Sequence, residues 1–222
     1  MLILGLDSSA KAASAAVYDT ETKNIISYGG VNVKITHSET LLPLAESVLN
    51  AAKMTLQDIN AFAVSAGPGS FTGVRIAVSA VKGMAFALNK PVYTVSTLHS
   101  LAVNLSGQNC IACCVMDARR GQFYNALFRI NGDNIEHLTP DRAIGISELE
   151  EELQAYKNKK IILVGDGAEL LQNTEFTLAP EAQLYQNAVS VCICALNEKS
   201  ISAKELMPLY LRLPQAERER KM

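Results

Sequence analysis

The twenty residues AGPGSFTGVRIAVSAVKGMA, at positions 66–85, decide the fold. An apolar run precedes them, Gly67, Pro68 and Gly69 punctuate the chain, and a long apolar segment follows, which is the pattern of a strand turning sharply into a helix. Such a turn either cradles a phosphate on backbone N–H groups or only redirects the chain. A cradle needs converging donors at a helix N-terminus, commonly with a lysine or hydroxyl. GPGSFTGVR departs from both GxxxxGK[ST] and GxGxxG, and Pro68 removes one N–H where donors matter most. Ser70 and Thr72 are good helix-capping residues and Arg75 lies one turn inside, so the stretch reads as a structural turn.

The helix that follows carries more information than the turn. From Val74 to Leu88 nearly every residue is apolar, leaving Arg75, Ser79 and Lys82 as a narrow polar stripe. A helix apolar nearly all round is covered on more than one side. Ser79, Gly83 and Ala87, four apart, form a strip of small residues that lets a second helix approach closely. Upstream, SETLLPLAESVLNAAK (38–53) places Leu41, Leu42, Leu44, Ala45, Val48, Leu49 and Ala52 at helical spacing. Either the two helices cover each other within the chain or together they offer a face to a partner. The second alternative predicts an interface of Leu41, Ala45, Val48, Leu49, Val74, Ala77, Ala80, Val81, Gly83, Met84 and Ala87.

Working outward, the chain repeats its plan. LILGL ends at Asp7 and turns through SSAKAA into SAAVYDT; IACCVM ends at Asp117 and turns through ARRG into QFYNALF. Each hairpin is followed downstream by an apolar strand running into glycines and then a helix, AFAVSAGPG (61–69) and IILVGDGAEL (161–170). The shared order of parts predicts a duplicated α/β unit. The boundary is placed at Ser106–Gly107, after the strand PVYTV and a helix starting at Thr97, giving halves 1–106 and 107–222. NIISYGGVNVKI extends the first sheet, ISELEEELQAYK opens on a Ser147/Glu150 capping box, and NAVSVCICALNEK reads as a further helix. The C-terminal PQAERERKM reads as a solvated tail.

Bulk properties narrow the function. The chain has 222 residues, 49% of them hydrophobic, enough for a substantial core. Its net charge of −2 and scattered Lys and Arg supply no field for autonomous nucleic-acid binding. The start MLILGLDSSA lacks a basic n-region and is interrupted by Asp7, so a cytoplasmic protein without membrane attachment is expected. Cys110, Cys113, Cys114, Cys192 and Cys194 sit in apolar runs and read as buried thiols rather than as disulfides or metal ligands.

GPGSFTGVRIA, LGLDSSAKAASAAVYD, MDARRGQFY and PLYLRLP together, in order along almost the whole chain, resemble the bacterial TsaB family, also called YeaZ. The resemblance implies a two-domain fold of the actin, hsp70 and sugar-kinase (ASKHA) type, built of duplicated mixed-sheet units with flanking helices. It further implies work in the formation of threonylcarbamoyladenosine (t6A) at the tRNA adenosine next to the anticodon. There the family pairs, as a non-catalytic paralogue, with the catalytic subunit TsaD, and the ATPase TsaE joins the complex. ATP and magnesium are then used by the assembled complex, tRNA is met only through it, and the free chain homodimerises through the same helices.

The residues agree with that role. Related catalytic subunits carry an HxxxH metal pair where this chain has VSTLHSLAV, with Thr97 and Leu101 at the two positions. His99 stands alone there, and His37 and His137 lie in unrelated segments, so spacing forms no histidine cluster. Nucleotide-binding members of the fold carry a glycine two residues after the first-hairpin aspartate, where this chain has Ser9. GDGAE (165–169) resembles their adenosine loop weakly. Asp7 and Asp117 are the remaining candidates for a magnesium-bound water, against a role in capping tight hairpin turns. The competing functions are a stand-alone ATP-dependent small-molecule phosphotransferase of this fold using Asp7 or Asp117, and a metallopeptidase, for which neither HExxH nor HxxxH is present.

Overall fold

A computed structural model describes residues 1–32, 36–171 and 176–212. The first half runs β1 (Leu2–Asp7), β2 (Ala13–Asp19), β3 (Asn24–Val31), α1 (His37–Ala51), β4 (Ala61–Gly67), α2 (Phe71–Leu88), β5 (Val92–Ser96) and α3 (Thr97–Val103). The second runs β6 (Asn109–Asp117), β7 (Gln122–Asn131), β8 (Asn134–His137), β9 (Arg142–Gly145), α4 (Ile146–Leu153), β10 (Ile161–Val164), β11 (Thr177–Leu178), α5 (Glu181–Leu184) and α6 (Ala188–Ala195).

The duplication is topological. The first sheet has the order β3-β2-β1-β4-β5, antiparallel through β3, β2 and β1 and parallel through β1, β4 and β5. The second has β8-β7-β6-β10-β11, with the same change from antiparallel to parallel pairing at its central strand. Strand by strand the two orders correspond, giving the two-domain ASKHA architecture. β1, β4 and β6 are buried almost throughout and read as continuous apolar runs, as central strands covered on both faces do.

The duplication is incomplete where the glycines lead into helices. β4 opens into the 18-residue α2, whereas β10 and its glycines are followed, among the described residues, by a 3-10 turn, Ala168–Leu170. α4 also differs from the expected capping box: the helix begins at Ile146 on Gly145, without a side-chain cap, and Ser147 lies inside it. The C-terminal stretch 214–222 lies outside the described residues.

Position 106/107 separates the two sheets, but two helices cross it. α3 belongs to the first half by sequence, yet Leu98, Leu101 and Ala102 join the core of the second sheet. α6 belongs to the second half, yet Ala188, Val191, Cys192 and Cys194 pack with Ile3, Ala16 and Ala63 of the first. Residues 201–206, after α6, lie against the first half. Ile201 bridges Val92, and Lys82 Nζ donates to the carbonyls of Lys204 and Leu206 at 3.1 and 3.0 Å.

α2 is the one helix among the described residues whose length and composition would suit a membrane span. Its Val74, Ala77, Val78, Val81 and Ala85 face the core instead, packed on the first sheet. Ser70 caps it, accepting from the Gly73 N–H at 3.3 Å, and Asn89 ends it in the left-handed conformation at φ 51°.

Candidate functional site

The first hairpin and the glycine turn are bonded directly to each other. The Ser70 N–H donates to the Ser9 carbonyl at 2.7 Å, and the Ser8 hydroxyl donates to the Gly73 carbonyl at 2.8 Å. A side chain on Gly69 would collide with the Ser9 carbonyl oxygen, and one on Gly73 with that of Ser8. These glycines are therefore required by close backbone approach. Two of the N–H groups at the start of α2, those of Ser70 and Gly73, already have partners within the chain.

Asp7 lies beneath this junction and is fully buried. Its Oδ1 accepts from the Ser9 N–H and hydroxyl, each at 2.8 Å, and its Oδ2 from the Ser65 hydroxyl. Burial pushes its carboxyl above the ordinary range, opposed by those hydrogen bonds. Asp7 thus ties β1, β4 and the hairpin turn together. Asp117, at the corresponding place in the second half, is exposed and caps its turn by accepting from the Arg119 N–H at 2.7 Å. The two aspartates share a position in the duplicated plan but have different environments.

The helical face requires a correction. Leu41, Ala45, Val48, Leu49, Val74, Ala77 and Val81 are all at most 5% exposed and belong to the chain's own core, so they do not form an outward face. The sequence pattern had merged two stripes: one that covers the sheet and one that faces outward. Of the predicted interface, Ala80 and Met84 remain half-buried and Gly83 and Ala87 exposed. Nothing lies within 4 Å of a side chain built on Gly83. Leu42 (51% exposed) and Phe71 (38%), neither of them in the predicted interface, extend the outward stripe, while Phe86 (63%) lies apart from it beside Lys90 and residues 200–204. Between α1 and α2 runs a groove of about 600 Å³, lined by His37, Leu41, Leu42, Phe71, Arg75, Ile76 and Ala80 among others.

The histidines also depart from the expectation. His99 and His137, from distant segments, meet edge to face with ring centroids 5.2 Å apart, and both lie against Phe128. Burial, reinforced by His137, lowers the His99 pKa to about 4. Ser96, which caps α3, donates from its hydroxyl to Asp141 at 2.5 Å. His37 instead contacts the Ala10 carbonyl through Nε2 at 2.6 Å. All five cysteines are buried free thiols. Burial pushes those of Cys113 and Cys192 up to about 12. Among the described residues no group of three or more His, Cys, Asp or Glu is arranged to hold a metal ion. In the GDGAE loop, Asp166 has its carboxyl raised by burial, and its Oδ1 is buried without a partner.

The family model described as TsaD, tRNA N6-adenosine threonylcarbamoyltransferase, matches residues 14–217. The tRNA threonylcarbamoyladenosine biosynthesis protein TsaB of Bacillus subtilis (strain 168) is 30% identical, across 98% of this chain and 96% of its own length. A tRNA N6-adenosine threonylcarbamoyltransferase, that of Bifidobacterium adolescentis, is 36% identical but over only 43% of this chain and 31% of its own length. Among solved structures, YeaZ from Pseudomonas aeruginosa superposes with a TM-score of 0.80 at 25% identity, covering 95% of this chain and 99% of that one.

Proposed function

The chain belongs to the TsaB (YeaZ) branch of the TsaD family, and from that membership we propose that it is a non-catalytic subunit in the formation of t6A on tRNA. It docks on a TsaD-type threonylcarbamoyltransferase and stabilises the active arrangement of that partner, with the TsaE ATPase joining the pair. Its contribution is differential binding: a subunit that favours the active state of its partner raises turnover without supplying a reacting group. ATP and magnesium are used by the assembled complex, tRNA is met only there, and the setting is the cytoplasm.

The observation that carries this reading is the outward stripe of α1 and α2. Leu42, Phe71, Ile76 and Ala80 line the groove between the two helices, and Met84 and Ala87 continue the apolar face of α2 beyond it. Surfaces of that kind mark protein–protein contacts. A paralogue that shares the fold offers an equivalent helix pair, and in its absence a second copy of this chain covers the same surface. The closed hairpin–turn junction speaks against phosphate binding at the start of α2. Thr97 and Leu101, at the positions where the resemblance puts the catalytic subunit's histidines, speak against metal chemistry.

The test is reconstitution. Purified TsaD-type and TsaE-type proteins with threonylcarbamoyl donor and tRNA should form t6A only when this chain is added, and Asp117→Ala should support the same rate. Modification without the chain, or loss of the rate with Asp117→Ala, would contradict a non-catalytic role.

A further inference from the structure

We propose that residues 207–212 form an intramolecular clasp that fixes the angle between the two halves. The halves are joined by α3 and α6, each packed in the other half's core, and by the Ser96 hydroxyl on Asp141. Residues 207–212 add a connection between the glycine turn and the β6–β7 hairpin. The Leu209 N–H donates to the Ala66 carbonyl at the end of β4, at 2.7 Å. Gly67 has φ of 122°, and a side chain there would strike the Leu209 carbonyl, so the glycine admits the segment.

Tyr210 then stacks on Phe71 with centroids 5.1 Å apart, and its hydroxyl accepts from Arg75 Nε at 2.7 Å. The Arg75 guanidinium lies 3.8 Å from the centre of the Phe71 ring. Two residues further on, Arg212 Nη1 donates at 2.8 Å to the carbonyl of Ala118, in the β6–β7 hairpin of the other half. A single extended stretch thus bridges the glycine turn of one half and the first hairpin of the other. Met207 is 66% exposed and Leu209 48%, so the stretch is held by a few anchors rather than by burial. A segment held in that way opens at lower free energy than the sheets it joins.

Spin labels at Glu46→Cys on α1 and Glu148→Cys on α4, both exposed, report the separation of the halves, since the five native thiols are buried. The parent should give one narrow distance distribution by double electron–electron resonance. Tyr210→Ser/Arg212→Ala should broaden it, and amide exchange in residues 66–70 and 117–121 should accelerate together by about tenfold while β1 and β6 stay protected. Arg212→Ala alone, which removes only the half-buried anchor on the second half, reads the same broadening should the double variant fail to fold. An unchanged distribution, or acceleration confined to one of the two turns, would overturn the clasp and leave a segment packed on a single half.

Discussion

The Ser70 N–H donates to the Ser9 carbonyl at 2.7 Å, closing the turn after β4 onto the hairpin after β1. Gly69 and Gly73 are the residues that make this approach sterically feasible. Gly69→Ala and Gly73→Ala should each lower unfolding stability by about 1–3 kcal/mol, because the added carbon meets a backbone oxygen that cannot move aside. Gly83→Ala should raise it by ~0.5–1 kcal/mol, since Gly83 sits in mid-helix facing open space. Urea denaturation of the three variants checks both signs.

Ser65→Ala removes a hydroxyl donor from the fully buried Asp7 carboxylate. A buried acceptor left short of a donor costs about 1–3 kcal/mol, and the same measurement should show a loss of that size. An unchanged stability would mean that Asp7 does not depend on this bond.

Much of this is legible in the sequence. The paired hairpins announce themselves because Asp7 and Asp117 each end a strand of unbroken apolar residues, and a duplicated order of parts admits few topologies. What periodicity cannot give is which sheet an apolar helix covers. α3 and α6 look like ordinary members of their own halves, yet each packs against the other half. The same limit affected α1 and α2: an apolar stripe marks a covered face, but Val74, Ala77 and Val81 are covered by the chain itself. The meeting of His99 with His137, and the return of residues 207–212 to the glycine turn, depend on long-range chain placement with no local signature.

His99 makes stability depend on pH. Its folded pKa is about 4, whereas an unfolded histidine titrates near 6.5. Between these values the unfolded chain binds the additional proton, so the contribution of neutral His99 is complete above about pH 6.5 and is lost as pH falls toward 4. Asp7 and Asp141, whose carboxyls are raised by burial, slope the opposite way, so the comparison is with His99→Phe rather than with an absolute curve. Denaturation midpoints should fall less steeply from pH 6.5 to 4.5 in that variant; equal slopes would show that His99 does not carry the effect.

The cysteines should be inert. Cys113 and Cys192 hold their thiols up to about 12, and all five side chains are buried. Thiolate is the reactive form, so a chromogenic disulfide reagent at pH 8 should label none of them in the native chain and all five after denaturation. Rapid labelling of the native protein would show that one of these strands opens readily.

The central claim is that the outward stripe of α1 and α2 binds a TsaD-type partner. The most direct measurement is the molar mass, by light scattering, of this chain mixed with that partner, for the native sequence and for Ala80→Arg and Gly83→Arg, each checked for folding by circular dichroism. The account predicts a heterocomplex with the native chain and separate components with either variant. Assembly undisturbed by both substitutions, or no assembly with the native chain, would contradict it.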